Sequence, residues 1–133
     1  MYRVKFQDWI TREDVKTNRD HLYIFGDNME RVGLGGQAAA MRGEPNSLGI
    51  ATKRSPGMSL EDFFSDREDE FHEVSHDLME ISRRYEQEQY LYIVYPSNGV
   101  GTGLAKLPEK SPEIYKLILH LQDEFRKYEV PNE

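Results

Sequence analysis

The chain of 133 residues contains no cysteine. That excludes a disulfide framework, a thiolate nucleophile and any cysteine-held zinc or iron–sulfur site. Long hydrophobic runs are also missing. Nothing approaches the roughly 18 apolar residues of a membrane span, and the longest greasy stretch is Tyr90–Tyr95. No membrane partner is therefore expected. Positive charge is scarce: 17 Lys and Arg face 24 Asp and Glu, giving a net charge of −7. Proteins that track nucleic-acid phosphates are usually basic, so general nucleic-acid binding is not expected, although a local basic patch is not excluded. Met1–Phe6 lacks the apolar core of a signal peptide, and the expected compartment is the cytoplasm. The 38% hydrophobic content and the length suit one modest core, hence a single domain over residues 1–133.

Strand-like and helix-like segments alternate along the chain. Tyr2–Phe6 reads as a strand. Thr11 with Asp14 three residues on reads as a capping arrangement, opening a short helix to Asn18. His21–Phe25 is aromatic and β-branched, a strand ended by Gly26-Asp27-Asn28. A helix is expected from near Gly36 to just before Gly43, because Gln37–Arg42 is alanine-rich. Leu48–Thr52 is a third strand, and Ser59 with Asp62 caps a helical turn. From Arg67 to Gln87, Phe71, Val74, Leu78, Ile81 and Tyr85 keep the spacing of one buried helical face. Tyr90–Tyr95 reads as a central strand covered on both faces. Ser111 and Pro112 then open a last helix whose core face is Ile114, Ile118, Leu121 and Phe125. This order implies an α/β fold with a mixed or mostly parallel sheet flanked by helices.

Two glycine-rich loops follow predicted strands: Gly33-Leu34-Gly35-Gly36, and Asn98-Gly99-Val100-Gly101-Thr102-Gly103. Open α/β sheets bind ligands beyond the carboxyl ends of their strands. Glycines admit close backbone approach, and runs of exposed N–H groups make anion-binding concavities. Two such loops side by side suit a diphosphate; glycines that only make tight turns are the plainer reading. Known phosphate motifs fit badly. Gly33-x-Gly35-x-x-Ala38 has the dinucleotide spacing but begins well after Phe25, and the acid expected about 20 residues on is missing. Gly49-Ile50-Ala51-Thr52-Lys53 is not a P-loop, and no Gly-x-Ser-x-Gly elbow supports a serine hydrolase.

The stretch Asn28–Ala39, an Asn followed by a glycine-rich turn into a small-residue helix, resembles the first ligand loop of the macrodomain family. Pro96–Leu104 resembles that family's second, diphosphate-wrapping loop. A closer likeness is to a bacterial and phage family with the motifs FGDN…GxGGQA…RxxPNxxGIxTKR and GxGTGLAxLPExxP, here Phe25–Asn28, Gly33–Ala38, Arg42–Arg54 and Gly99–Pro112. The resemblance implies a macrodomain-like domain that binds ADP-ribose or a related nucleotide diphosphate, a small-molecule partner with no separate cofactor. It also implies possible hydrolysis of an ADP-ribose derivative. Two features depart from the macrodomain pattern: only Asn28 remains of its paired asparagines, and Asp8 is a poor match for its adenine-contacting Asp.

On this reading Asp27 is the candidate general base and Asn28 the residue that meets a ribose and positions water. Gln37, Arg42, Lys53 and Arg54 join Gly33, Gly35, Gly36 and the 98–103 loop as ligand-binding candidates. The plainer readings are an Asx turn for Asn28, capping for Asp27 and Gln37, a pair with Glu44 for Arg42, and solvation for Lys53 and Arg54. His72 and His76 have helical metal-ligand spacing but lie opposite the apolar stripe with no third ligand, so no metal site is expected. The acidic run Glu61–Glu70 is expected to be a solvated helix start, with Phe63 and Phe64 turned inward. Two other functions stay open: a non-catalytic sensor or sequestering module for a nucleotide signal, and a module that binds proteins or nucleic-acid ends.

Overall fold

A computed structural model describes residues 2–131. Four strands, β1 (Val4–Gln7), β2 (His21–Asn28), β3 (Ser47–Lys53) and β4 (Tyr92–Pro96), form one sheet in the order β1–β4–β2–β3. Every pairing is parallel. The helices are α1 (Arg12–Thr17), α2 (Ala38–Met41), α3 (Glu68–Gln87), α4 (Leu107–Lys110) and α5 (Pro112–Arg126), with a 3-10 turn at Leu60–Asp62. The fold is α/β, as the alternating pattern requires. Among the described residues, no helix is long and apolar enough to cross a membrane.

The central strands are apolar throughout because both faces are covered. Leu22 and Ile24 of β2, with Ile93 and Tyr95 of β4, face a core shared with Val74 and Ile81 of α3 and Ile118 and Phe125 of α5. The alternate residues Tyr23, Phe25 and Val94 face Ile10, Val15 and Met41 on the other side. Truncating any of these large buried side chains to Ala would cost about 2–5 kcal/mol.

Side chains cover the outer edge of β3. Arg84 Nη1 donates to Ser47 O at 2.8 Å, Arg31 Nη1 to Gly49 O at 3.0 Å, and Asp77 Oδ2 accepts from Ala51 N at 2.8 Å. On β1, Val4 N donates to Tyr128 O at 3.1 Å and Val130 N to Val4 O at 2.9 Å. The β3 edge is thus covered by side chains and the β1 edge is paired at Val4, which limits the ladder open to another chain.

Several boundaries differ from the sequence reading. β2 runs on through Gly26, Asp27 and Asn28, since Gly26 and Asp27 pair with Ile50 and Ala51 before a bulge at Asn28. The helix expected from Gly36 is the single turn Ala38–Met41. The sequence pattern predicts no helix at α4; it starts at Leu107, directly after the N-cap Lys106, whose φ of 46° breaks the local pattern. Ser111 does not cap α5 with its own oxygen. It donates to Asp66, whose carboxylate accepts from the amides of Glu113 at 3.1 Å and Ile114 at 3.0 Å. Phe63 and Phe64 are buried, but the acidic run is not simply solvated: Glu70 is fully buried and accepts from the amides of Ser65 and Arg67.

Candidate functional site

Because all four strands run the same way, their carboxyl ends share one edge of the sheet. A cleft of about 400 Å³ opens there. Asp8 and Trp9 bound it after β1, the first glycine loop after β2, Thr52, Lys53 and Pro56 at the end of β3, and residues 98–105 after β4. Both glycine loops therefore line the same space. They lie close together: a Cβ built on Gly35 would sit 3.5 Å from Leu104 Cδ1 of the second loop, and one on Gly33 would sit 3.3 Å from Pro56 Cβ, beyond the end of β3.

The loops are held open as amide surfaces. Among the described residues, no backbone N–H from Val32 to Gln37, nor from Val100 to Ala105, donates to a protein acceptor. Gly101 is required for this path. Its φ is +82°, and an added Cβ would sit 2.7 Å from Leu107 Cδ2, beyond what an ordinary residue tolerates. Its carbonyl accepts from Leu107 N at 2.8 Å, and Thr102 Oγ1 donates to Asn98 O at 3.1 Å.

Asp27 is buried in the floor. Arg42 grips it, donating from Nη2 to Oδ1 at 2.5 Å and from Nη1 to Oδ2 at 3.2 Å. Asn28 N also donates to Asp27 Oδ1, at 2.8 Å. The carboxylate lies against Gly49, where a Cβ would come within 2.6 Å of Oδ2. The same guanidinium of Arg42 donates from Nε to Gly33 O at 2.7 Å and from Nη2 to Val32 O at 3.2 Å. Asn28 Nδ2 donates to Val32 O at 2.7 Å, while Asn28 Oδ1 is buried without a partner. Asp27, Asn28 and Arg42 thus tie the first loop to the end of β2.

Lys53 lines the cleft and is buried. Burial pushes its ammonium below the usual lysine range, and nearby Asp62 opposes that shift. Its Nζ donates to the carbonyls of Gly57 and, at 3.4 Å, Pro56. Arg54 is not part of the cleft. It turns toward the start of α3, bonding Glu70 at 2.7 Å and Asp69 at 2.6 Å, because the side chain after Lys53 projects to the opposite face of the strand. Gln37 lines the cleft, but both ends of its amide are engaged. Oε1 accepts from Ile10 N and Nε2 donates to Ile10 O, each at 2.9 Å.

The sequence reading overlooked Trp9. It is the sole tryptophan, 64% exposed, and it stands on the cleft wall beside Asp8. Val32, Leu34 and Leu104 are other exposed apolar residues of the lining. An exposed Trp next to a strand end was the available signal. His72 and His76 are exposed on α3, and among the described residues no group of three or more His, Asp or Glu could hold a metal ion.

Residues 5–121 match a family of unknown function (DUF7831), and the chain belongs to that family. No curated protein and no solved structure matches it.

Proposed function

We propose that this family member binds a nucleotide diphosphate of the ADP-ribose type across the carboxyl edge of its sheet. The observation that carries the reading is the pair of unpaired amide runs, 32–37 and 100–105, lining one cleft. Such N–H groups stabilise phosphate oxygens through fixed dipoles. The flat face of Trp9 suits a nucleobase, and the Asp8 carboxylate beside it can accept from a base amino group. The orphaned Oδ1 of Asn28 suits a ribose hydroxyl.

The arrangement supports binding over hydrolysis. Both carboxylate oxygens of Asp27 accept from Arg42, so Asp27 is poorly placed to take a proton from water. A nucleotide sensor or sequestering module is therefore the form of the reading favoured here, working in the cytoplasm. Calorimetry against ADP-ribose, NAD, ADP and cyclic ADP-ribose, with Trp9 fluorescence recorded in parallel, tests it. Saturable binding with a change in Trp9 emission and no turnover supports the reading. Absence of binding by all four ligands refutes it.

A further inference from the structure

Among the described residues, two cations line the cleft, Arg42 and Lys53, and both are already engaged. Arg42 is neutralised by Asp27, and Lys53 donates to the carbonyls of Pro56 and Gly57. A phosphate entering the cleft would meet backbone amides before it met a free charge. Arg42 nevertheless shapes that amide surface. It draws the carbonyls of Val32 and Gly33 toward itself. No peptide bond is cis among the described residues. In a trans peptide the N–H points opposite to the C=O. The amides of Gly33 and Leu34 are therefore turned away from the guanidinium, and both are unpaired.

We propose that the Asp27–Arg42 pair is the specificity device of this cleft: it aims the loop amides and withholds the guanidinium charge, so that a diphosphate esterified at both ends is selected over a terminal phosphate. This rests on the nucleotide-diphosphate reading above. Each phosphate of a diphosphate diester carries about one negative charge, whereas a terminal phosphate carries about −1.5 to −2 near neutral pH. Oriented dipoles suffice for the first. The second needs a free cation, and the protein's net charge of −7 opposes it further. Asp27 and Arg42 are thus positioning residues, with no contact to ligand required of either.

The experiment is calorimetry with ADP-ribose and ADP on the wild type, Asp27→Asn and Arg42→Lys, with thermal melting of each variant. The wild type should favour ADP-ribose over ADP. Asp27→Asn frees the guanidinium and loosens the loop, so ADP-ribose should bind roughly tenfold more weakly and the preference over ADP should shrink. Arg42→Lys keeps the charge and loses the planar fork, so ADP-ribose should weaken by a similar factor. Tighter or unchanged ADP-ribose binding by Asp27→Asn overturns the inference while leaving the binding function standing, and so does undiminished affinity in Arg42→Lys. If Asp27→Asn fails to fold, Arg42→Lys decides. A wild type that binds neither ligand overturns both proposals.

Discussion

Gln37 reaches across to Ile10 and closes a two-bond ring with its backbone, accepting from N–H and donating to C=O at 2.9 Å each. The residues lie far apart in sequence, yet this ring joins the first glycine loop to the segment that carries Trp9. The amide surface and the aromatic wall are therefore one unit.

Gln37→Ala breaks that ring and leaves the buried Ile10 backbone without partners. A loss of about 1–3 kcal/mol is expected in urea unfolding, together with faster depolarisation of Trp9 fluorescence. Gln37→Glu should be worse near neutral pH, since its carboxylate would face the Ile10 carbonyl.

Gly101→Val should act on the fold. The added side chain meets Leu107 and must hold a φ of +82°. Destabilisation of about 2 kcal/mol or more is expected by chemical denaturation. Weaker ligand binding by this variant would follow from the damaged loop and would not by itself locate the phosphates.

Asp66 caps α5 from a distance. Burial raises its pKa, but the bonds from Ser111, Ile114 and Glu113 outweigh that and hold it below its ordinary value of 3.8. A carboxylate with a depressed folded pKa stabilises the protein above its unfolded pKa. That contribution is lost as pH falls through the folded value. Asp66→Asn keeps the backbone shape, since Asn tolerates the φ of 60°. Urea unfolding should show the wild type more stable than Asp66→Asn at pH near 7, with the gap closing well below the ordinary carboxylate range. A gap that persists in acid would contradict this account of the cap.

Trp9→Ala should leave the melting temperature nearly unchanged, because the ring is largely exposed. Stacking of a base on an aromatic ring contributes about 1–3 kcal/mol. Calorimetry should show ADP-ribose weakened by an amount in that range.

The fold was legible where local pattern and tertiary context agree. The apolar run of β4 and the stripe of α3 follow directly from periodicity, as does the Thr11–Asp14 capping box of α1, with Thr11 Oγ1 accepting from Asp14 N at 3.1 Å. The glycine loops stood out because glycine is rare outside such turns. What local pattern could not reveal were partnerships between distant residues. Arg54 reads like Lys53 until Glu70 arrives from α3. Arg42 reads as a free cation until Asp27 is brought beside it. The alanine run after Gly36 has high helix propensity, yet it stops after one turn, at the C-cap Arg42, whose side chain is pulled to Asp27, Val32 and Gly33.

The most direct test of the diphosphate site is calorimetry with ADP-ribose on the wild type and Gly103→Val. Gly103 lies on the second loop with nothing within 4 Å of an added Cβ and no positive φ. The substitution should therefore change stability by no more than about 0.5 kcal/mol. It places a branched side chain among the unpaired amides, so ADP-ribose should bind at least roughly tenfold more weakly to a variant that melts like the wild type. Equal affinity in the two proteins would show that the 100–105 amides do not hold the diphosphate.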